Sequence, residues 1–240
     1  MSTEQPRNHE VLHTIASLPT DWHRAGSLSE SVCEAIVKHC AASNIDNSVE
    51  TGSGKSTLLF SHLSSNHKVF AIDDGNASIT NVLQSPLLNR QSVEFIEGPT
   101  QLTLPAYHWR HSLQAALIDG PHGYPFPDLE YYYIYPLLEP GAMLILDDID
   151  IPTVYNMFRF IEADEMFSLI EVVGQTAFFR RTSAPTFDRC GDGWWLQNYN
   201  KHKVRLAERN INGTVLGYFK SCVPGPVKRA MKRLVDRKPL

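Results

Sequence analysis

Long apolar runs are missing from this 240-residue chain. The longest clear one, Ala142–Leu146, falls far short of the eighteen or so residues of a spanning helix. The opening MSTEQPRNHE lacks the charged-then-apolar layout of a secretory signal. Cysteine is sparse: Cys33, Cys40, Cys190 and Cys222 form no CxxC pair and no dense framework. Reduced thiols in a cytoplasmic protein are therefore expected, rather than disulfides or a zinc site. There is no internal repeat and no low-complexity segment. Integral-membrane, collagen-like and disulfide-scaffold classes are excluded. What is present, 42% hydrophobic and 20% charged residues, is the composition of a globular chain long enough to bury a real core.

The net charge of −4 conceals an asymmetry. Residues 201–240 hold 11 of the 22 Lys and Arg residues against only Glu208 and Asp236, which makes them +9 and leaves residues 1–200 at −13. The body is a poor nucleic-acid surface, and no nucleic-acid partner is expected. Within residues 220–240, Lys220, Lys228, Arg229, Lys232, Arg233, Arg237 and Lys238 alternate with Val227, Ala230, Met231, Leu234 and Val235. Two uses fit that pattern: weak contact of a cytoplasmic protein with an anionic membrane surface, to which it would be peripheral, or a solvated helix or homodimer contact.

Residues 1–26 carry no periodic pattern and read as a lead or loose cap. From Ser27 onward Leu28, Val32, Ile36 and Cys40 recur every four residues, a helix with Ser27 or Ser29 as its cap. An alternation then begins. Strands are expected at Ser48–Thr51, Lys68–Asp73, Val93–Glu97, Ala115–Asp119 and Ala142–Asp147. Helices are expected between them at Lys55–Leu63, Asn76–Leu88, Pro105–Leu113 and Pro127–Leu138, with another at Pro152–Ala163. Such alternation gives a doubly wound α/β fold with a parallel sheet. Ser168–Val173 and Thr176–Arg181, joined across Gly174–Gln175, read as a hairpin adding a reversed edge. The organisation expected is a lead and cap helix over 1–44, a catalytic domain over 45–182 and a basic extension over 183–240.

The turn between the first strand and its helix reads Val49-Glu50-Thr51-Gly52-Ser53-Gly54-Lys55-Ser56-Thr57. A phosphate-cradling G-x-x-x-x-G-K-[ST] loop would need glycine at Val49, and G-x-G-x-x-G would need it at Thr57. Glu50 would moreover repel a phosphate. The segment instead fits acid-x-Gly-x-Gly. Asp73, nineteen residues after Gly54, ends the second strand, with Asp74 as the alternative for the same role. Two later strands also end in acids, at Asp119-Gly120-Pro121-His122 and at Asp147-Asp148. Carboxyl ends of neighbouring strands border one crevice, so these aspartates need either a hard cation among them or duties as helix caps.

The acid-x-Gly-x-Gly turn with its spaced Asp resembles the first motifs of class I S-adenosylmethionine-dependent methyltransferases. Asp-Gly-x-His after the fourth strand, Leu138-Glu139-Pro140-Gly141 and the closing Asp-Asp narrow the resemblance to metal-dependent sugar O-methyltransferases and cephalosporin-hydroxylase-like proteins. It spans residues 45–182. It implies a seven-stranded, class I methyltransferase-like sheet with S-adenosyl-L-methionine held by Glu50, Gly52, Ser53, Gly54, Ser56, Asp73 and Asp119. It also implies Mg²⁺ on Asp119, Asp147 and Asp148, and His122 as base with Asp119 beside it. The acceptor implied is a hydroxylated small molecule such as a sugar, glycoside or lipid-linked sugar. Two positions depart from the pattern: Glu97-Gly98-Pro99-Thr100 lacks the acid commonly placed at the adenine, and Lys55 sits inside the glycine turn. Alternatives that stay open are a non-catalytic cofactor-binding scaffold, an NTPase and an NAD-dependent enzyme. Tyr131, Tyr132, Tyr133 and Tyr135 are either core or a substrate platform; His108, Trp109, Arg110 and His111 either reach the pocket mouth or form a surface turn; Trp194 and Trp195 are a dimer or lid anchor.

Overall fold

Two of the central strands alternate side chains between two apolar faces, and the two sets of partners are different helices. On β4 (Leu113–Ile118), Ala115 and Leu117 face one way and Ala116 and Ile118 the other; on β5 (Leu138–Leu146), Met143 and Ile145 oppose Ala142, Leu144 and Leu146. Strands buried on both faces read as continuous apolar runs, which is why these two stand out in the sequence. The computed structural model describes residues 4–19, 27–41, 43–73, 77–188, 190–191 and 193–201. The basic stretch from His202 onward, including residues 220–240, and Asp74 lie outside the described residues.

The sheet has seven strands: β1 (Ile45–Thr51), β2 (Ser64–Ala71), β3 (Val93–Glu97), β4, β5, β6 (Phe167–Val173) and β7 (Thr176–Arg181). Their order is β3-β2-β1-β4-β5-β7-β6, with the first five parallel. β7 runs antiparallel to both β5 and β6. The hairpin closes one edge of the sheet as its pattern predicts, with β7 the reversed strand and β6 outermost. Physically, β7 carries the buried Ala177, Phe178 and Phe179, whereas β6 exposes Leu169, Ile170 and Val172. The more apolar strand of the hairpin takes the position covered on both sides.

Helices α1 (Glu4–Ala16), α2 (Glu30–Cys40) and α3 (Lys55–Leu63) cover one face. The absence of pattern expected over residues 1–26 is corrected here: Leu12, Ile15 and Ala16 are buried against α2 and α3. Three apolar positions in one turn and a half are too few to register as periodicity, yet enough to seat a helix end. Ser29 caps α2 by accepting from the Val32 N–H. The opposite face holds α5 (Thr100–Ala106), α6 (Phe126–Ile134) and α7 (Pro152–Ala163), while α4 (Ser78–Gln84) packs near the β2–β3 end.

Three helices differ from expectation: the one expected at Pro127–Leu138 forms Phe126–Ile134 and a single 3-10 turn at Tyr135–Leu137, with Leu138 already in β5, and two others differ more. The one expected at Asn76–Leu88 ends at Gln84, because Ser85 precedes Pro86 and is driven to extended backbone. The one expected at Pro105–Leu113 lies instead at Thr100–Ala106, with Pro105 in its last turn and Leu113 already in β4. Tertiary contacts decide this: Tyr107 and Trp109 leave the helix to pack on Phe70, with ring centroids 5.5 and 5.7 Å away. His108, Arg110 and His111 are exposed on that turn.

Candidate active site

The carboxyl ends of β1, β2, β4 and β5 open onto a cavity of about 900 Å³, a size common for cofactor and ligand clefts. Its floor is the turn after β1. Gly52 has φ +89, and its N–H donates to the Phe70 carbonyl at 2.9 Å. A Cβ at this position would stand 2.7 Å from the Asp119 carbonyl oxygen, so the β1 and β4 ends approach this closely only because residue 52 is glycine. We expect Gly52→Ala to cost roughly 1–3 kcal/mol in backbone strain alone. Thermal unfolding should show a midpoint several degrees lower; an unchanged midpoint would mean the turn relaxes freely.

Beneath the turn lies a buried polar network. Thr57 Oγ1 donates to Glu50 Oε1 and accepts from the Gly54 N–H at 3.0 Å, fixing the turn onto the first helical residues of α3. Glu50 is fully buried, 3.3 Å from His67 Nε2, and His67 Nδ1 lies 2.7 Å from Ser48 Oγ. Glu50 therefore braces the glycine turn from below and is not among the residues lining the cavity. Asp73 is also not among them, although its neighbour Ile72 is. Its Oδ1 accepts from the Ile79 N–H at 3.1 Å and its Oδ2 from Thr80 Oγ1, so its carboxylate caps α4. Gly52, Ser53, Gly54, Ser56, Asp119, His122, Asp147 and Asp148 all line the cavity.

The acids after β4 and β5 meet around an imidazole. His122 Nε2 is 3.2 Å from Asp148 Oδ2 and 3.7 Å from Asp119 Oδ1. One ligand atom from each of these three residues lies within 4.8 Å of the others, a grouping compatible with a divalent cation. Asp148 holds φ +54, a left-handed conformation that Asp tolerates better than most residues and that recurs at functional turns. The turn is fixed by the Ile149 N–H donating to the Gln175 carbonyl at 2.9 Å. Asp147 points elsewhere: its Oδ1 accepts from Thr176 Oγ1.

These charges perturb one another. Burial, reinforced by Asp147 and Asp148 and opposed by His122, pushes the Asp119 carboxyl up to about 7. The Asp119 carboxylate, aided by Asp148 and Asp147, raises His122 above its ordinary value against the effect of burial. Burial also raises Glu130 to about 8. Glu130 Oε2 accepts from Thr51 Oγ1 at 2.8 Å, and that hydroxyl accepts from the Asp119 N–H at 3.1 Å, so the start of the acidic turn is pinned from α6.

Several lining residues had no signal in the sequence. Leu28, Ser29 and Val32 at the start of α2 form one wall, and Gly174–Thr176 in the β6–β7 turn form another. Their distance along the chain from the glycine turn hides them. Lys55, visible only as a departure from pattern, is one of the largest fully buried side chains and lines the cavity. The tyrosines resolve to packing: Tyr131 stacks on Tyr135 at 5.0 Å, and none of the four lines the cavity. Trp195 is exposed.

Residues 49–149 match a family model described as a methyltransferase domain. No curated protein matches the chain. Among solved structures, the chain is similar to a protein classed as an O-methyltransferase from Klebsiella pneumoniae, with 13% identity over 76% of this chain and 91% of that one and a TM-score of 0.57. It is also similar to the O-methyltransferase from Bacillus cereus in complex with SAH (17% identity, 74% and 91% covered, TM-score 0.53). A third is the O-methyltransferase TomG from Streptomyces achromogenes, involved in tomaymycin synthesis and solved with SAM (12%, 76% and 91%, 0.53). The strand order and these likenesses agree on the fold: a seven-stranded, class I methyltransferase-like α/β sheet, of which residues 49–149 match the methyltransferase domain model.

Proposed function

We propose that this protein transfers a methyl group from S-adenosyl-L-methionine to a hydroxyl of a small polar acceptor, such as a sugar or glycoside. The observation that carries the reading is the convergence of Asp119, His122 and Asp148 on the same cavity as the glycine turn. Two structural neighbours hold SAH or SAM, which supports the cofactor half. Gly52, Ser53, Gly54 and Ser56 would cradle the cofactor with Asp119 alongside, and Glu50 would keep their turn in shape. The ribose end belongs near the end of β2, where Ile72 and Ser78 line the cavity beside Asp73.

A hydroxyl is a poor nucleophile until its proton has somewhere to go. His122 Nε2, lining the cavity between two carboxylates, accepts that proton as the hydroxyl oxygen takes the methyl carbon and the carbon–sulfur bond breaks. Asp119 and Asp148 hold the imidazole in place and balance its positive charge. The same carboxylates fit a hard divalent cation, Mg²⁺ by their oxygen chemistry, with Asp147 adjacent. When bound, such an ion lowers the pKa of an acceptor hydroxyl and fixes its oxygen.

Calorimetric titration with S-adenosylhomocysteine tests the cofactor half directly. Micromolar or tighter binding, with no heat from ATP or NAD, is the expected result. Binding of ATP or NAD in its place would overturn the reading. The acceptor class is then found by screening hydroxylated compounds with labelled cofactor for a methyl mass shift. Among the described residues no helix is long and apolar enough to cross a membrane. Contact of residues 220–240 with an anionic surface remains a proposal, checked by co-sedimentation with anionic vesicles.

A further inference from the structure

A lysine buried to 1% exposure needs a reason, because an ammonium removed from water must be met by charge or by a full set of acceptors. Lys55, the first residue of α3, has Nζ 2.7 Å from the Leu18 carbonyl and makes no other hydrogen bond or ion pair among the described residues. An ammonium carries three donors, so two remain without a described partner. Ser53 Oγ, two residues earlier and lining the same cavity, is likewise buried with no hydrogen-bond partner. The first turn of α3 adds N–H groups that have no partner within the helix. An incomplete cation, an unpartnered hydroxyl and a helix N-terminus thus border one wall of the cavity, and each favours an anion.

The rest of the cavity limits which anion. Asp119, Asp147 and Asp148 line it as well, so a polyphosphate would meet three carboxylates. A singly charged carboxylate on a molecule that also carries positive charge suits this mixed lining: its anion pairs with Lys55 while its positive groups meet the acids. We propose that Lys55, assisted by Ser53, ion-pairs with the α-carboxylate of the cofactor's amino-acid end and so selects S-adenosylmethionine and S-adenosylhomocysteine over nucleosides lacking that group. This rests on the reading that the cavity takes S-adenosylmethionine. It makes Lys55 a specificity-determining contact, where the Leu18 bond alone would make it a strut between α3 and the segment after α1.

The test compares three ligands by calorimetry on the full chain: S-adenosylhomocysteine, its decarboxylated analogue and 5′-methylthioadenosine. The wild-type protein should bind S-adenosylhomocysteine about 10–100-fold more tightly than the decarboxylated analogue, the worth of a charged hydrogen-bonded contact. Lys55→Met should remove that preference by weakening S-adenosylhomocysteine alone, and Lys55→Arg should keep most of it. Equal weakening of all three ligands by Lys55→Met overturns the assignment and leaves the strut. Should Lys55→Met fail to fold, the wild-type comparison decides by itself, since no preference for the carboxylate overturns the proposal. If the wild type binds none of the three nucleosides, the cofactor reading falls and takes this one with it; binding without carboxylate discrimination removes only the role of Lys55.

Discussion

Replacing His122 with Ala should lower kcat for methyl transfer by about 10²–10⁴, the usual worth of a positioned base, while leaving S-adenosylhomocysteine affinity nearly intact. The expectation follows from position. The imidazole stands 3.2 Å from Asp148 and 3.7 Å from Asp119 and lines the cavity that also holds the glycine turn. The pH dependence carries a sign. Asp119 first, and Asp148 after it, hold a proton on His122, raising its pKa, and a protonated imidazole accepts nothing. The rate should therefore rise with pH through a midpoint above the ordinary histidine value near 6.5. Asp148→Asn removes one of the stabilising charges and should move that rising limb to lower pH. A loss confined to KM in His122→Ala, or a pH profile that keeps its limb in that variant, would show that His122 only positions the acceptor.

The second large effect concerns the carboxylates. Excess chelator should reduce turnover by about 10²-fold or more, given that a bound cation contributes several kcal/mol at a developing oxyanion. Mg²⁺ or Mn²⁺ should restore it. Asp148→Ala should abolish the restoration, because it removes one of the three groups whose ligand atoms lie within 4.8 Å of one another. Asp147→Asn discriminates further. Since the Asp147 carboxylate is bonded to Thr176, its neutral amide should weaken the cation less than Asp148→Ala does. Full activity in chelator would leave Asp119 and Asp148 as the electrostatic frame of His122 and nothing more. Direct calorimetry of the cation against the wild type and Asp148→Ala separates loss of the ion from loss of the fold.

The strands and the glycine turn were legible because their physics is local. Val93–Glu97 and Thr176–Arg181 match the expected bounds residue for residue, as do the helices Lys55–Leu63 and Pro152–Ala163. Each has its own punctuation: Gly54 before Lys55, Pro152 opening α7, and Gly174–Gln175 between β6 and β7. The acids after β4 and β5 were legible as a cluster for a related reason: in a parallel sheet, the ends of adjacent strands fall together whatever lies between them. Asp119, His122 and Asp148 come from turns separated by a whole helix, and pairing of β4 with β5 alone brings them together.

Other features depended on contacts far apart in the sequence. The order of β7 before β6 follows from which strand has more apolar surface to cover, a comparison made only against β5 and the helices on both faces. The seating of α1 depends on a groove supplied by α2 and α3, and the displacement of α5 depends on Phe70 attracting Tyr107 and Trp109. Among the acids, the resemblance assigned Glu50, Asp73 and Asp119 to the cofactor and Asp119, Asp147 and Asp148 to a cation. Tertiary structure sorted them by their hydrogen-bond partners: Glu50 braces the turn, Asp73 caps α4, Asp147 engages Thr176, and Asp119 with Asp148 flanks the imidazole. A sequence states that a carboxylate stands at a strand end; which donor reaches it first is decided by the neighbouring element that packs there.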